Sequence, residues 1–293
     1  MFFVKITKKH LIYFYALSFF RIYIKKGGMK MGVVDTAKWL HLYYGRPEKL
    51  CEKFTKYIPL PKERLYRFLI SRGMYRPVMR GEQEIKELEK KEIWKELSME
   101  YEKLKSWLKG PDVPIFILLS DSYNRTVQEE YNGKAGLSMR HVIFLFVCGR
   151  NSVEELKALL THEYHHICRL HQIETKETEY TLLDTMIMEG LAEQAVYERY
   201  TEKRCAPWTT YISKEDAIYY WKNSIQKRID VKRGTREHDV VLNGLHPYPK
   251  MLGYALGFHI VKDCVAFEGE DTLSLLSIDA KEILNKANTF HVS

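Results

Sequence analysis

Residues 156–170 read LKALLTHEYHHICRL, and within them His162-Glu163-Tyr164-His165-His166 has the pattern H-E-x-x-H. On a helix, residues four apart lie about 40° apart around the axis and about 6 Å apart along it. Both imidazoles can then reach one ion, and the glutamate beside the first can address a water held there. Around this motif Val153, Leu156, Leu159, Leu160, Ile167 and Leu170 make the apolar arc of an amphipathic helix that lies on a core. Glu163 falls inside that arc, His166 at its edge and His162 just beyond it. His165 falls on the opposite side, among Glu154, Thr161 and Arg169, and is expected to be exposed. A carboxylate on a core-facing arc is costly unless something pairs with it. A metal site with its water would supply that partner.

A second helical pattern follows at 181–200, TLLDTMIMEGLAEQAVYERY. Leu182, Met186, Val196 and Tyr200 form its apolar stripe, and Glu189 and Glu193 fall on the same stripe. Two carboxylates four apart on such a face repel each other and need a cation or a donor, unless the pair lines a solvated edge. Gly190 weakens the helix but permits close approach of a neighbouring element.

HEYHH followed by MEGLAE resembles the gluzincin metallopeptidases, whose third zinc ligand is a glutamate on a later helix. More closely, it is similar to a bacterial domain-of-unknown-function family described as predicted zinc-dependent proteases. The likeness is best from about Asp112 to Val196 and weak before Pro111. It implies a Zn2+ cofactor held by His162, His166 and Glu189, with Glu163 as catalytic base and Glu193 orienting a ligand histidine. It also implies a peptide or protein substrate. The gap from His166 to Glu189 is slightly longer than in thermolysin-like enzymes, which leaves room for a longer turn. No third motif marks the donor to a developing oxyanion. His246, Tyr248, Tyr254 and His259 lie downstream and carry suitable groups. Tyr254 is preferred, because Gly253 and Gly257 let its helix approach closely.

Composition bounds the alternatives. A chain of 293 residues, 45% hydrophobic and 29% charged, has the makings of an ordinary soluble protein with one large domain or two. The five cysteines (Cys51, Cys148, Cys168, Cys205 and Cys264) are odd in number and form no C-x-x-C pair. That argues against a disulfide framework or a zinc ribbon and suits a reducing, cytoplasmic setting. Cys168, near the motif, reads as a structural thiol. The net charge of +8 suggests nucleic acid, but seven of the 46 basic residues lie in 1–30 with no acid among them. Without those seven, 39 basic residues face 38 acidic ones, and the body has no excess to attract phosphate.

Residues 1–30 have three readings: a signal peptide lacking an A-x-A-like site, a membrane anchor, or a mis-assigned start. The uncharged run before Arg21 is too short to span a bilayer, so a membrane association follows only if this leader is a genuine anchor. Lys25-Lys26-Gly27-Gly28 can be encoded by a purine-rich ribosome-binding sequence ahead of Met31, which favours the mis-assigned start. Residues 31–110 are helical in pattern, including one long amphipathic helix from Glu84 to Lys109 stopped by Gly110-Pro111. Val113–Ser120 and Met139–Cys148 read as strands. The stretch between them is a long turn or a hairpin with a further short strand, and Gly133 to Ser138 is the candidate for a substrate-pairing edge. Asn151-Ser152 caps the motif helix. Downstream, Lys214–Ile229 reads as a helix, Lys232–Lys250 as polar and turn-rich, and Leu252–Phe267 and Asp279–Ala287 as helices.

The sequence thus predicts an α+β fold, predominantly helical, with a small mixed sheet preceding the active-site helix in a zincin-like domain at 111–293. The expected function is that of a zinc-dependent peptidase. The alternative is a non-catalytic, metal-stabilised helical module that binds a protein partner. A di-iron bundle would need a second E-x-x-H, and only Glu163-x-x-His166 is present.

Overall fold

Two apolar runs, PIFILL and VIFLFV, are buried at every position, as expected of strands covered on both faces. They form the middle of a four-stranded sheet in the computed structural model, which describes residues 31–290; the readings of residues 1–30 lie outside the described residues. The strands are β1 (Gly32–Val34), β2 (Pro114–Leu119), β3 (Ala135–Met139) and β4 (Val142–Val147), in the order β1-β2-β4-β3. β1 and β4 run parallel to β2, whereas β3 runs antiparallel to β4, with Gly136 opposite Leu145 and Ser138 opposite Ile143. Of the segment 139–148, only β4 is therefore the closing strand of a hairpin. Arg140-His141 forms the turn, and Met139 belongs to the preceding strand. β3, the candidate edge, lies at one end of the strand order and is half-buried along its length.

Among the described residues, five helices precede β2: α1 (Ala37–Tyr43), α2 (Pro47–Cys51), α3 (Lys62–Ile70), α4 (Gly81–Lys90) and α5 (Ile93–Leu108). The single helix expected over Glu84–Lys109 is thus two, broken where Glu92 turns left-handed (φ 51°). Lys91 at the break donates to the carbonyls of Gly149 and Asn151, a tertiary contact that the dense charge pattern could not announce. Phe54 packs its ring 4.7 Å from that of Phe116 and 5.2 Å from that of Phe144, closing one face of the sheet. After β2 come α6 (Arg125–Glu129), the β3–β4 hairpin, and α7 (Val153–Gln172), which packs on β3 and β4 and also on α5.

The chain divides into two compact units. One holds residues 31–172 with Ala192–Pro207, and the other holds Ile173–Leu191 with the described residues from Trp208 onward. α8 (Leu182–Tyr200) is a continuous helix that contributes to each. The second unit also contains α9 (Lys214–Tyr220), α10 (Arg236–Asn243), α11 (Leu252–Glu268), α12 (Thr272–Leu275) and α13 (Ala280–Lys286). Its core includes Met186, Trp221, Leu256, Val261 and Phe290. The expected helix Lys214–Ile229 loosens after Tyr220 into a π turn and a 3-10 turn, with Trp221 and Ile225 still buried. The turn-rich stretch 232–250 contains α10, whose N-cap Thr235 accepts from the His238 amide at 3.2 Å. Among the described residues, no helix is long and apolar enough to cross a membrane.

Candidate metal centre

α7 starts with a reciprocal cap. Ser152 Oγ accepts from the Glu155 amide at 3.2 Å, and Glu155 Oε2 accepts from the Ser152 amide at 2.9 Å. The other oxygen of Glu155 takes bonds from the Asn132 amide at 2.8 Å and the Lys134 ammonium at 3.3 Å, both in the turn that leads into β3. Burial pulls the Glu155 pKa up, but the Ser152 amide, Asn132 and Lys134 outweigh it and hold it at about 2. One carboxylate thus caps the motif helix and ties the edge strand to it.

Because α7 is packed on two sides, its polar face is not a solvent face. His165, expected to be exposed, is 0% exposed, and Thr161 and Arg169 beside it are buried as well. Among the described residues, neither ring nitrogen of His165 has a hydrogen-bond partner. Burial, reinforced by His166 and Arg169, holds its pKa well below the ordinary histidine value. The apolar arc follows from residue spacing within the helix, whereas the burial of the opposite side depends on elements distant in sequence.

The motif side chains converge as the spacing requires. His162 Nε2 and His166 Nε2 lie 3.0 Å apart, and His162 Nδ1 lies 2.9 Å from Glu193 Oε2. Glu193 is 2% exposed, and its other oxygen accepts the Ala206 amide. His162, His166 and Glu189 each offer one ligand atom, and these atoms all lie within 4.8 Å of one another. Glu189 precedes Glu193 by one turn of α8. Gly190, next to Glu189, serves a contact with α11. A Cβ there would run into the Gly257 carbonyl, and one at Gly257 would run into the Met186 carbonyl. The close approach that Gly190 permits is therefore to α11.

Residues 93–285 match the model of a family described as "Predicted Zn-dependent protease (DUF2268)". The chain belongs to this family. It is 40% identical over 213 residues to the uncharacterized protein YjaZ of Bacillus subtilis (strain 168), covering 73% of this chain and 82% of that protein. It is 24% identical over 188 residues to the uncharacterized protein YjfC of the same organism, covering 61% of this chain and 62% of that one. No solved structure matches the chain. The family expected from HEYHH and MEGLAE is the family found, and the matched span reaches further in both directions than 112–196.

The zinc dependence in the family's description can be tested against the donors present. A carboxylate on His162 Nδ1 places the proton there and leaves Nε2 as a lone-pair donor, the arrangement usual for a metal-bound imidazole. Tetrahedral zinc with bonds of about 2.0–2.1 Å spaces its ligand atoms by about 3.3 Å, close to the observed 3.0 Å. Two acceptor nitrogens at that distance repel unless a proton or a cation lies between them. Two imidazoles and one carboxylate also make the donor set of an open catalytic zinc site. The residues fit the ion.

Glu163 is 7% exposed and lies against β3. Ser138 Oγ is hydrogen-bonded to Glu163 Oε2 and also lies 2.8 Å from the Glu163 carbonyl oxygen. At Gly136, a Cβ would overlap the Glu163 carboxyl. These two residues are what sequence reasoning missed. The available signal was a pair of small residues two apart in a strand already marked as the edge.

Of the downstream donors, Tyr254 lies on α11 with its ring 5.4 Å from that of Trp208, one turn before the Gly257 contact with α8. His259 Nε2 lies 3.2 Å from the Ile212 carbonyl, and burial lowers the pKa of this ring. Cys168 is buried, and burial pushes its thiol up to about 12, as suits a structural thiol.

Proposed function

We propose that the chain is a zinc-dependent peptidase of zincin-like architecture, in which His162, His166 and Glu189 hold the metal and Glu163 is the general base. The observation that carries this reading is the hydrogen bond of His162 Nδ1 to Glu193, which leaves Nε2 facing His166 Nε2 with Glu163 on the same helix. A bound zinc supplies Lewis-acid polarisation and makes water more acidic. Glu163 accepts the proton of the attacking water at its carboxylate and then delivers it to the leaving amine. Glu193 orients His162 and keeps its tautomer fixed. The edge of β3 beside Glu163 offers backbone groups to an extended peptide, so the substrate adds as a further strand. Tyr254 is the donor we assign to the developing oxyanion, supported by the contact of its helix with α8 next to Glu189.

Every residue of this scheme falls in 111–293, which we take as the catalytic region, with 31–110 as its helical support. The partner is a peptide or protein chain, not nucleic acid, given the balanced charge of the body. All five cysteines are free thiols, which favours the cytoplasm. The test is incubation of the purified chain with an unfolded protein such as casein. Cleavage should be abolished by a chelator and restored by zinc. A chain that binds zinc and loses stability to chelator, yet cleaves nothing, would instead be a metal-stabilised binding module.

A further inference from the structure

The base of the proposed reaction is held asymmetrically. Successive side chains of a strand alternate between faces, so Gly136 and Ser138 share one face of β3. Both meet Glu163 on that face, Gly136 through its missing Cβ and Ser138 through its hydroxyl. Of the two carboxylate oxygens, the Ser138 hydroxyl engages Oε2 only. Among the described residues Oε1 makes no hydrogen bond, and it is the carboxylate atom nearest to the place a Cβ of residue 136 would take. A carboxylate that is 7% exposed is costly to bury with a single donor, so a hydroxyl at this position does more than fill space.

We propose that Ser138 is a positioning residue for Glu163. Its hydroxyl anchors Oε2 to the edge strand, and the space left by Gly136 keeps Oε1 free as the atom that accepts the proton from water. The inference deepens the peptidase reading and rests on it. The strand that holds the base is itself tied to α7 through Glu155, Asn132 and Lys134, so anchor and base belong to one frame. Proton transfer depends on placing the base within hydrogen-bond reach of the water, and a carboxylate free to rotate spends little time there.

The test compares zinc-loaded wild type with Ser138→Ala, Ser138→Thr and Gly136→Ala, by kinetics on casein-derived peptides and by crystallography. Loss of a hydrogen bond to a charged group predicts that Ser138→Ala lowers kcat roughly 10–100-fold. KM and zinc content should stay near wild type. Ser138→Thr keeps the hydroxyl and should recover kcat to within a few-fold. Gly136→Ala keeps the hydroxyl but fills the space beside Oε1, and should lower kcat as well. The crystal structures should show Glu163 on β3 in the wild type and displaced from it in Ser138→Ala. Wild-type kcat in Ser138→Ala, or an unmoved Glu163 in its structure, overturns the inference while leaving the peptidase reading intact. If the wild type cleaves nothing, the peptidase reading fails, and the assignment of Oε1 as proton acceptor falls with it. The crystal comparison then decides separately whether Ser138 holds Glu163.

Discussion

α7 and α8 supply the side chains of the candidate centre, and they are held in place by different means. α7 is fixed by polar partners: Glu155 at its start binds Ser152, Asn132 and Lys134, and Glu163 in its middle is bound by Ser138. α8 is fixed at Gly190 by backbone-to-backbone packing on α11, with Glu193 as the polar contact one turn away. The roles on α7 therefore follow from residue type and spacing. On α8 two glutamates share one stripe, and their roles follow from which neighbour each one meets.

The largest effect that would sharpen this comparison is expected at Glu189. Glu189→Ala leaves two histidines, too few for tight zinc, and the variant should lose its metal on simple dialysis, read by elemental analysis. Glu193→Ala should keep zinc with affinity weakened about 10–100-fold in a competitive chelator titration. The reverse order would make Glu193 the ligand and would break the distinction drawn on α8.

A smaller effect tests the packing itself. Gly190→Ala places a methyl against the Gly257 carbonyl, which is backbone and cannot rotate away. Overpacking of this kind should cost about 1–3 kcal/mol of stability in denaturant unfolding. An unchanged midpoint would show that α8 and α11 have room to spare.

The smallest effect belongs to the cap of α7. Glu155→Gln should lower stability by about 1 kcal/mol at neutral pH, since it removes a charged cap and its partners. The pKa of Glu155 is lowered in the folded chain, so its contribution is full above the ordinary value near 4.5 and fades as pH falls toward about 2. The difference between wild type and variant should shrink over that window in thermal melts. A difference that stays constant with pH would show that the Glu155 charge is not what ties β3 to the helix.

Much of this was legible in the chain because it is local. The H-E-x-x-H spacing, the cap at Ser152 and the apolar runs of β2 and β4 each depend on residues close in sequence. What escaped depends on neighbours distant in sequence. His165 is buried although its side of the helix carries polar neighbours, Thr161 and Arg169, which are buried with it. The helix expected from Glu84 to Lys109 breaks where Lys91 reaches Gly149 and Asn151. Gly190 marks a point of close approach from its residue type alone, but its partner, α11, lies some sixty residues on. Ser138 and Gly136 were placed on the edge strand, yet their contact with Glu163 needed the register of β3 against α7.

The central claim is that Glu163 moves a proton without holding the metal, and one variant addresses it directly. Glu163→Gln should bind about one zinc per chain, as the wild type should, and keep its thermal midpoint. Its kcat on unfolded casein should fall by about 10²–10⁴-fold, the usual contribution of a positioned base. Loss of zinc in this variant, or turnover at the wild-type rate, would contradict the account.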